Sequence, residues 1–325
     1  MIGPRERFES ALPVEVEIVI VNWNSRSLLR ECVVALDRST IAERLSVCIV
    51  DNASTDGSAD GLGTERVRAT LLRNSENRGF AAACNQGARI GQAPLIFFLN
   101  PDVRIEPDTV ERAVNYLTEP CNSRVGILGI QLLDANGTVW RSCARAPTMT
   151  MLLLRTMFLD RLCPQLVFPH FLAEWDHRDT RPVDQVMGAA LMIRRPLFEK
   201  LGGFDERFFV YYEDVDLCEA ARKSGWNVTH FAGARAIHVG GGTTQAVRDR
   251  RLAYEIRSRL EYAAKHHGRT AAFLLGLFIV VLELPIRLVY AIMAWSPRDG
   301  RLVLCAMVLL FLDFWGRRRR LGAGW

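Results

Sequence analysis

The sequence predicts an α/β protein built on a mainly parallel sheet, and three observations carry that expectation. Apolar runs at residues 16–21, 45–50, 67–72 and 95–99 are near-continuous, as strands covered on both faces must be. Stretches of helical periodicity lie between several of them, so strand and helix alternate. Polar clusters at Asn22-Trp23-Asn24, at residues 51–58 and at Asn100-Pro101-Asp102 each directly follow an apolar run. They therefore gather at the carboxyl ends of the strands, where ligands of such sheets bind.

Taken in order, residues 16–21 form a buried strand with one Glu, and Leu28, Leu29, Cys32, Val33 and Leu36 then recur at helical spacing. Residues 45–50 are a second strand, 67–72 a shorter third, 80–90 an alanine-rich helix and 95–99 a fourth strand. The second half is less regular. Residues 125–133, 138–143 and 183–193 predict strands, 149–159 a helix, and 160–182 give no readable pattern. Residues 226–231 and 236–239 read as short strands, the latter ending in Gly240-Gly241-Gly242, and 246–267 as a charged helix.

Composition changes abruptly after Gly268. Residues 271–295 are apolar except for Glu283 and Arg287, which flank Pro285. As a helix this stretch would measure about 37 Å, enough to cross a bilayer. Charges at its middle oppose a simple span. The run at 302–312 is too short to span alone. The expectation is a helical hairpin lying in or dipping into the membrane, with a single genuine span as the competing reading. The run Arg317-Arg318-Arg319-Arg320 would sit at the cytoplasmic face of the inner (plasma) membrane. Domain boundaries follow: a tail at 1–13, a catalytic unit at 14–268 divided near 120, and a membrane-associated segment at 269–325.

With 325 residues, 49% hydrophobic and 24% charged, the chain is globular rather than disordered. Its net charge of +5 is modest, and no basic groove interleaved with aromatics points to nucleic acid. The eight cysteines are dispersed without a C-x-x-C pair, several of them inside apolar runs, which predicts buried reduced thiols and a cytosolic setting. The first residues lack an apolar signal core, so the glycosylation-type triplets at Asn52, Asn136 and Asn227 carry no meaning.

Walker, G-x-G-x-x-G, G-x-S-x-G and H-E-x-x-H motifs are absent where each chemistry would need them. The densest chemical signal is the stretch from Gly202 to Leu217, with five carboxylates among aromatics. Glu213 and Asp214 open a helix that ends in Arg222-Lys223 and Gly225. A carboxylate at a helix N-terminus beside an aromatic loop is a candidate general base.

Six ordered motifs then resemble glycosyltransferase family 2. They are Ile20-Val21-Asn22-Trp23-Asn24; Val50-Asp51-Asn52-Ala53-Ser54-Thr55-Asp56-Gly57-Ser58; Asn77-Arg78-Gly79-Phe80 continuing through Asn85-Gln86-Gly87; Phe98-Leu99-Asn100-Pro101-Asp102; Gly203-Phe204-Asp205 continuing through Tyr212-Glu213-Asp214-Val215-Asp216-Leu217; and Ile237-His238-Val239-Gly240-Gly241. The resemblance covers about residues 14–268 and is greatest to bacterial rhamnosyltransferases of O-antigen or cell-wall linker glycans. It implies a GT-A fold, with a Rossmann-like nucleotide-binding half and a mixed central sheet. It also implies an inverting transfer from the donor dTDP-rhamnose to a glycan or polyprenyl-linked acceptor at a membrane surface. Another nucleotide sugar, such as a UDP-hexose or GDP-mannose, and a catalytically silent nucleotide-sugar-binding protein are the alternatives.

The resemblance implies donor-binding roles for Asn22, Asn24, Asp51, Asn77, Arg78, Gly79, Asn85 and Asn100. Asn100-Pro101-Asp102 stands where the family has Asp-x-Asp, with an amide in place of the first carboxylate. A divalent metal, Mg or Mn, would then rest on Asp102 and His238 with phosphate oxygens completing its shell. Asp214 is the expected base with Glu213 as neighbour and substitute. Asp205 would bind acceptor hydroxyls or cap its turn, and Gly188 would leave room for the acceptor.

Overall fold

Strand β1 (Val16–Asn22) is buried along its whole length, because residues on both of its faces meet apolar layers. Val16, Ile18 and Ile20 face one layer, with Leu29, Cys32, Val33 and Leu36 of α1 (Leu28–Asp37). Val19 and Val21 face the other, with Ala81, Ala83, Cys84 and Ala88 of α2 (Phe80–Ala88). This computed structural model describes residues 13–159, 170–240 and 248–321. Residues 1–12 of the expected tail, Cys163, Gly241 and Gly242 lie outside them.

β2 (Leu45–Asp51) and β4 (Leu95–Leu99) flank β1 in parallel, and β3 (Arg68–Arg73) extends the sheet beyond β2. Parallel register sets Asn22 beside Asp51 and Asp51 beside Arg73, so their side chains share one rim. After β5 (Val103–Ile105), α3 (Thr109–Thr118) and β6 (Val125–Leu133), the sheet becomes mixed. Among the described residues its order is β3-β2-β1-β4-β10-β6-β11-β5, where β10 is Ala190–Arg194 and β11 is Asn227–His238. β8 (Arg181–Pro182) pairs with β11 off this path. Because β10 runs antiparallel to β4, its first residue, Ala190, stands opposite Leu99 at the same rim.

Three strand expectations are corrected. Residues 138–143 do not form a strand. Asp134 and Gly137 make a turn, Val139 bridges Leu133, and only β7 (Cys143–Ala144) pairs, with β9 (Gln185–Val186). The run at 183–193 breaks into β9 and β10, because the Gly188 N–H is given to a side chain instead of a strand. The two short strands expected at 226–231 and 236–239 are one strand, Asn227–His238, with an irregularity between Phe231 and Arg235.

The remaining helices are α4 (Met149–Thr156), α5 (Arg195–Lys200), α6 (Glu213–Lys223), α7 (Arg248–His266), α8 (Arg269–Met293) and α9 (Pro297–Leu321). Pro285 has no N–H for the carbonyl four residues earlier, and a π-helical turn, Ile279–Glu283, absorbs the mismatch just before it. α8 and α9 turn back on each other at Trp295, whose φ is 48°, and both pack against α7. The expected hairpin is thus present. Its second arm is longer than the apolar run at 302–312, because the helix continues through the charged residues on either side to a length of 25 residues.

A tight helix-to-sheet approach is at Gly87, where a Cβ would lie 2.5 Å from Val19 Cγ1 and 3.2 Å from Val50 Cγ2. Gly87→Ala is expected to cost about 1–3 kcal/mol through overpacking. Gly63→Ala, with nothing within 4 Å of the added carbon, serves as the control. Urea unfolding of both variants checks this; equal midpoints would contradict the packing described.

Candidate active site

At the carboxyl ends of β1 and β2, the amide of Asn22 is 0% exposed and fully used. Its Nδ2 donates to Asp51 Oδ1 (2.9 Å), Ser54 Oγ (3.0 Å) and Ser58 Oγ (2.9 Å), while Oδ1 accepts from Ser25. Asn22 therefore orients Asp51 and does not itself face a donor, which corrects the expectation for that side chain. Asp51 keeps Oδ2 toward Arg73, 3.6 Å from its guanidinium. Asn24 adopts a left-handed φ of 50° and accepts the Thr55 N–H at 2.8 Å, closing the loop after β2.

Asn52 organises the loop that follows β3, a role the sequence reading missed. Its Nδ2 donates to Asn77 Oδ1 (2.8 Å) and Gly79 O (3.2 Å); its Oδ1 accepts from Asn74 Nδ2 (3.1 Å) and the Arg78 N–H (3.0 Å). Its place in the motif directly after Asp51 was the available signal. Asn77 in turn accepts the Gly79 N–H at 2.9 Å, and the Arg78 side chain is exposed. Gly79, at φ 88°, does permit a close approach, but by this chain: a Cβ there would lie 2.6 Å from Phe209 O. The neighbouring Phe80 N–H donates to that same carbonyl.

Asn85 does not face a nucleotide. Its amide is buried and spans to the main chain of Phe204, donating to the carbonyl at 2.8 Å and accepting the N–H at 2.9 Å. It fastens α2 to the loop that leads to the acidic helix. Asp205 is also committed. It accepts from Arg207 at 2.6 Å and Lys265 at 2.7 Å, and from the Arg207 N–H at 3.1 Å. Burial works to raise its pKa, but these bonds outweigh burial and hold the carboxyl well below the usual range. Of the two roles expected for Asp205, the geometry supports the turn cap.

Asp102 and His238 meet at the same rim, with His238 Nε2 3.4 Å from Asp102 Oδ1. Both are buried, and Trp140 packs on the imidazole at 5.1 Å between ring centroids. The antiparallel pairing of β11 with β5 brings them together, setting His238 opposite Val103. His238 Nδ1 has no hydrogen-bond partner among the described residues.

A short main-chain path joins this pair to the acidic helix. The Asn100 N–H donates to Ala189 O at 2.9 Å, and the adjacent Gly188 N–H donates to Asp214 Oδ2 at 2.8 Å. The Val215 N–H holds Asp214 Oδ1 at 2.8 Å. Gly188 leaves space, but for Asp214: an added Cβ would lie 3.3 Å from the Asp214 Cβ. Tyr211 and Tyr212 precede the helix in the left-handed region, at φ 68° and 69°, a strained approach of the kind found at functional sites.

The two carboxyls differ in electrostatics. Burial pushes Glu213 well above the usual range, and the charge of Asp214 adds to it; Glu213 Oε2 has no partner among the described residues. Burial also raises Asp214, but its two N–H bonds offset part of that penalty. The pair therefore carries one negative charge most readily, on Asp214.

Comparison with known proteins agrees with this architecture. Residues 17–171 match the model of glycosyl transferase family 2. An N-acetylglucosaminyl-diphospho-decaprenol L-rhamnosyltransferase of Mycobacterium tuberculosis is 28% identical over 270 residues, covering 79% of this chain and 83% of that protein. Rhamnosyltransferase WbbL of Escherichia coli is 20% identical over 173 residues, covering 52% of this chain and 61% of its own. Among solved structures, the mannosyltransferase PcManGT of Pyrobaculum calidifontis, in complex with GDP-Man and Mn2+, superposes with a TM-score of 0.52 at 18% identity, over 93% of this chain and 88% of that one. The chain has the GT-A fold and resembles the glycosyltransferases of family 2, the bacterial rhamnosyltransferases among them.

Proposed function

We propose that this protein is an inverting transferase that moves rhamnose from dTDP-rhamnose to a lipid-linked glycan at a membrane surface, with Asp214 as the base. The observation that carries the reading is the Gly188–Asp214 hydrogen bond, which sets the ionised carboxylate on the rim that also holds Asp102 and Asp51. The rhamnosyl donor and the lipid diphosphate acceptor are supported by the mycobacterial relative's substrate.

Asp51 receives the nucleoside, with Asn22 and Arg73 fixing its orientation. The 74–79 loop, shaped by Asn52, lies beside Asp51, whose main-chain carbonyl accepts the Asn74 N–H, and offers Arg78 to phosphate. Asp214 takes the proton from the acceptor hydroxyl as that oxygen bonds to the anomeric carbon. The bond from that carbon to the nucleotide diphosphate breaks on the opposite side, which inverts the configuration. Glu213, neutral beside it, keeps the site free of a second negative charge.

Asp102 and His238 fit a divalent cation in donor type: one hard carboxylate and one imidazole converge, and the imidazole's far nitrogen is unengaged among the described residues. No cluster of three or more acidic, His or Cys ligands occurs among the described residues, so substrate phosphates would supply the rest of the shell. The ion would provide positive charge beside the departing diphosphate. Asn100, next to this pair, would complete the donor side through its amide.

Membrane association rests on α8 and α9. α8 is long and apolar enough to cross a membrane, and Phe273, Val280, Tyr290 and Met293 are exposed along it. The charged α7 packs along its other side, which favours a helix lying in the interface over one that crosses it.

Asp214→Asn should lower transfer by about two to four orders of magnitude while nucleotide affinity stays within about twofold. Glu213→Gln should lose far less. Turnover assays with nucleotide titrations check both, and near-normal turnover in Asp214→Asn would reject the base. Asp102→Ala should weaken binding of the nucleotide diphosphate in the presence of Mg or Mn by tenfold or more, measured calorimetrically. Equal affinity with and without the cation, in both proteins, would reject the ligand pair.

A further inference from the structure

Glu283 is 1% exposed in the middle of the apolar helix α8, where an unpaired carboxylate would be strongly destabilising. Both of its oxygens are occupied. Oε2 accepts from Arg259 of α7 at 2.7 Å, and Oε1 accepts from Arg287 at 2.8 and 3.0 Å. Arg259 is 0% exposed and also lies 3.4 Å from Thr156 Oγ1 and 3.8 Å from Glu255. The charges that looked like a cost at mid-membrane therefore face the catalytic domain.

The same helix, α7, grips the residues on both sides of Glu213-Asp214. Ser258 Oγ donates to Val210 O at 2.8 Å. Lys265 bonds Asp205 at 2.7 Å and Asp216 at 2.8 Å, and His266 Nε2 lies 2.7 Å from Asp216 Oδ1. Tyr262 packs on Tyr212 with ring centroids 5.5 Å apart. Tyr212 and Val215, which bracket the two carboxyls, share one apolar core with Ile256 of α7, Leu275, Ile279 and Leu284 of α8, and Val303 of α9. Arg155 adds a second connection, 3.2 Å from Glu255 and 3.5 Å from the Tyr212 hydroxyl.

We infer that the apolar C-terminal helix is a positioning element for the carboxylate at the acceptor site, with Glu283 and Arg259 as the positioning residues. Their ion pair sets where α7 stands, and α7 fixes the frame from Asp205 to Asp216. The division into a catalytic unit ending at 268 and a separate membrane segment does not hold for this core: one element serves both the membrane face and the base. The inference rests on the reading of Asp214 as the base.

The test uses the full chain in detergent, with Glu283→Gln, the exchanged pair Arg259→Glu with Glu283→Arg, and Asp214→Asn. Amide hydrogen exchange across residues 205–216, kcat at saturating substrates and donor affinity are measured for each. Glu283→Gln should speed exchange in 205–216 and lower kcat at least tenfold, with donor affinity within twofold; the exchanged pair should recover part of both losses. A Glu283→Gln protein with unchanged exchange and unchanged kcat overturns the inference. So does a parallel loss of kcat and donor affinity that the exchanged pair fails to rescue. If Glu283→Gln loosens 205–216 while Asp214→Asn still turns over normally, the link between helices stands and the base assignment falls.

Discussion

The hydrogen bond from the Gly188 N–H to Asp214 Oδ2 joins parts of the chain that no local pattern connects. On one side lies the β9–β10 break, one residue from the Ala189 carbonyl that accepts from Asn100. On the other lies a helix whose first residues follow two tyrosines in left-handed conformations. Gly188 suits that position because a side chain there would press on Asp214 at 3.3 Å. This contact ties the start of the acidic helix to the rim that carries Asn22, Asp51 and Asn100, while Leu217 and Cys218 pack further along it.

That constraint also distinguishes the two adjacent carboxyls. Two adjacent acids in a buried site cannot both ionise cheaply. Asp214 has main-chain donors and a helix N-terminus to stabilise its charge, whereas Glu213 has an oxygen with no partner among the described residues. On the proposed reading, that one charge stands where the acceptor hydroxyl loses its proton. The support for that charge extends outward through Tyr212, α7 and the Arg259–Glu283 pair to the apolar C-terminal helices. On the proposed reading, catalytic geometry and membrane attachment become one mechanical problem.

Much of the fold was legible because buried parallel strands leave long apolar runs and place polar clusters at one end. The four leading strands, the alanine-rich helix and the acidic helix all follow from those patterns. What was hidden depends on partners far away in sequence. Asn85 looks like a ligand-facing amide until its bonds to Phe204, 119 residues on, are seen. Asn22 is likewise consumed by Asp51, Ser54 and Ser58. Residues 183–193 have strand-like composition, yet the chain breaks where a main-chain donor is needed for Asp214. Glu283 reads as a defect in a span because its partner, Arg259, sits on a neighbouring helix. In each case residue type was informative and the commitment of its hydrogen bonds was not.

The pH dependence of transfer, at saturating donor and acceptor, tests the central claim most directly. Burial raises Asp214 above the ordinary aspartate value of 3.8, so the base is ionised only above that raised value. The rate should therefore rise with pH along an acid limb lying above 3.8, and the residual activity of a protein lacking the Asp214 carboxylate should show no such limb. A rate that stays flat down through the ordinary aspartate range, or the same limb in that altered protein, would contradict the account.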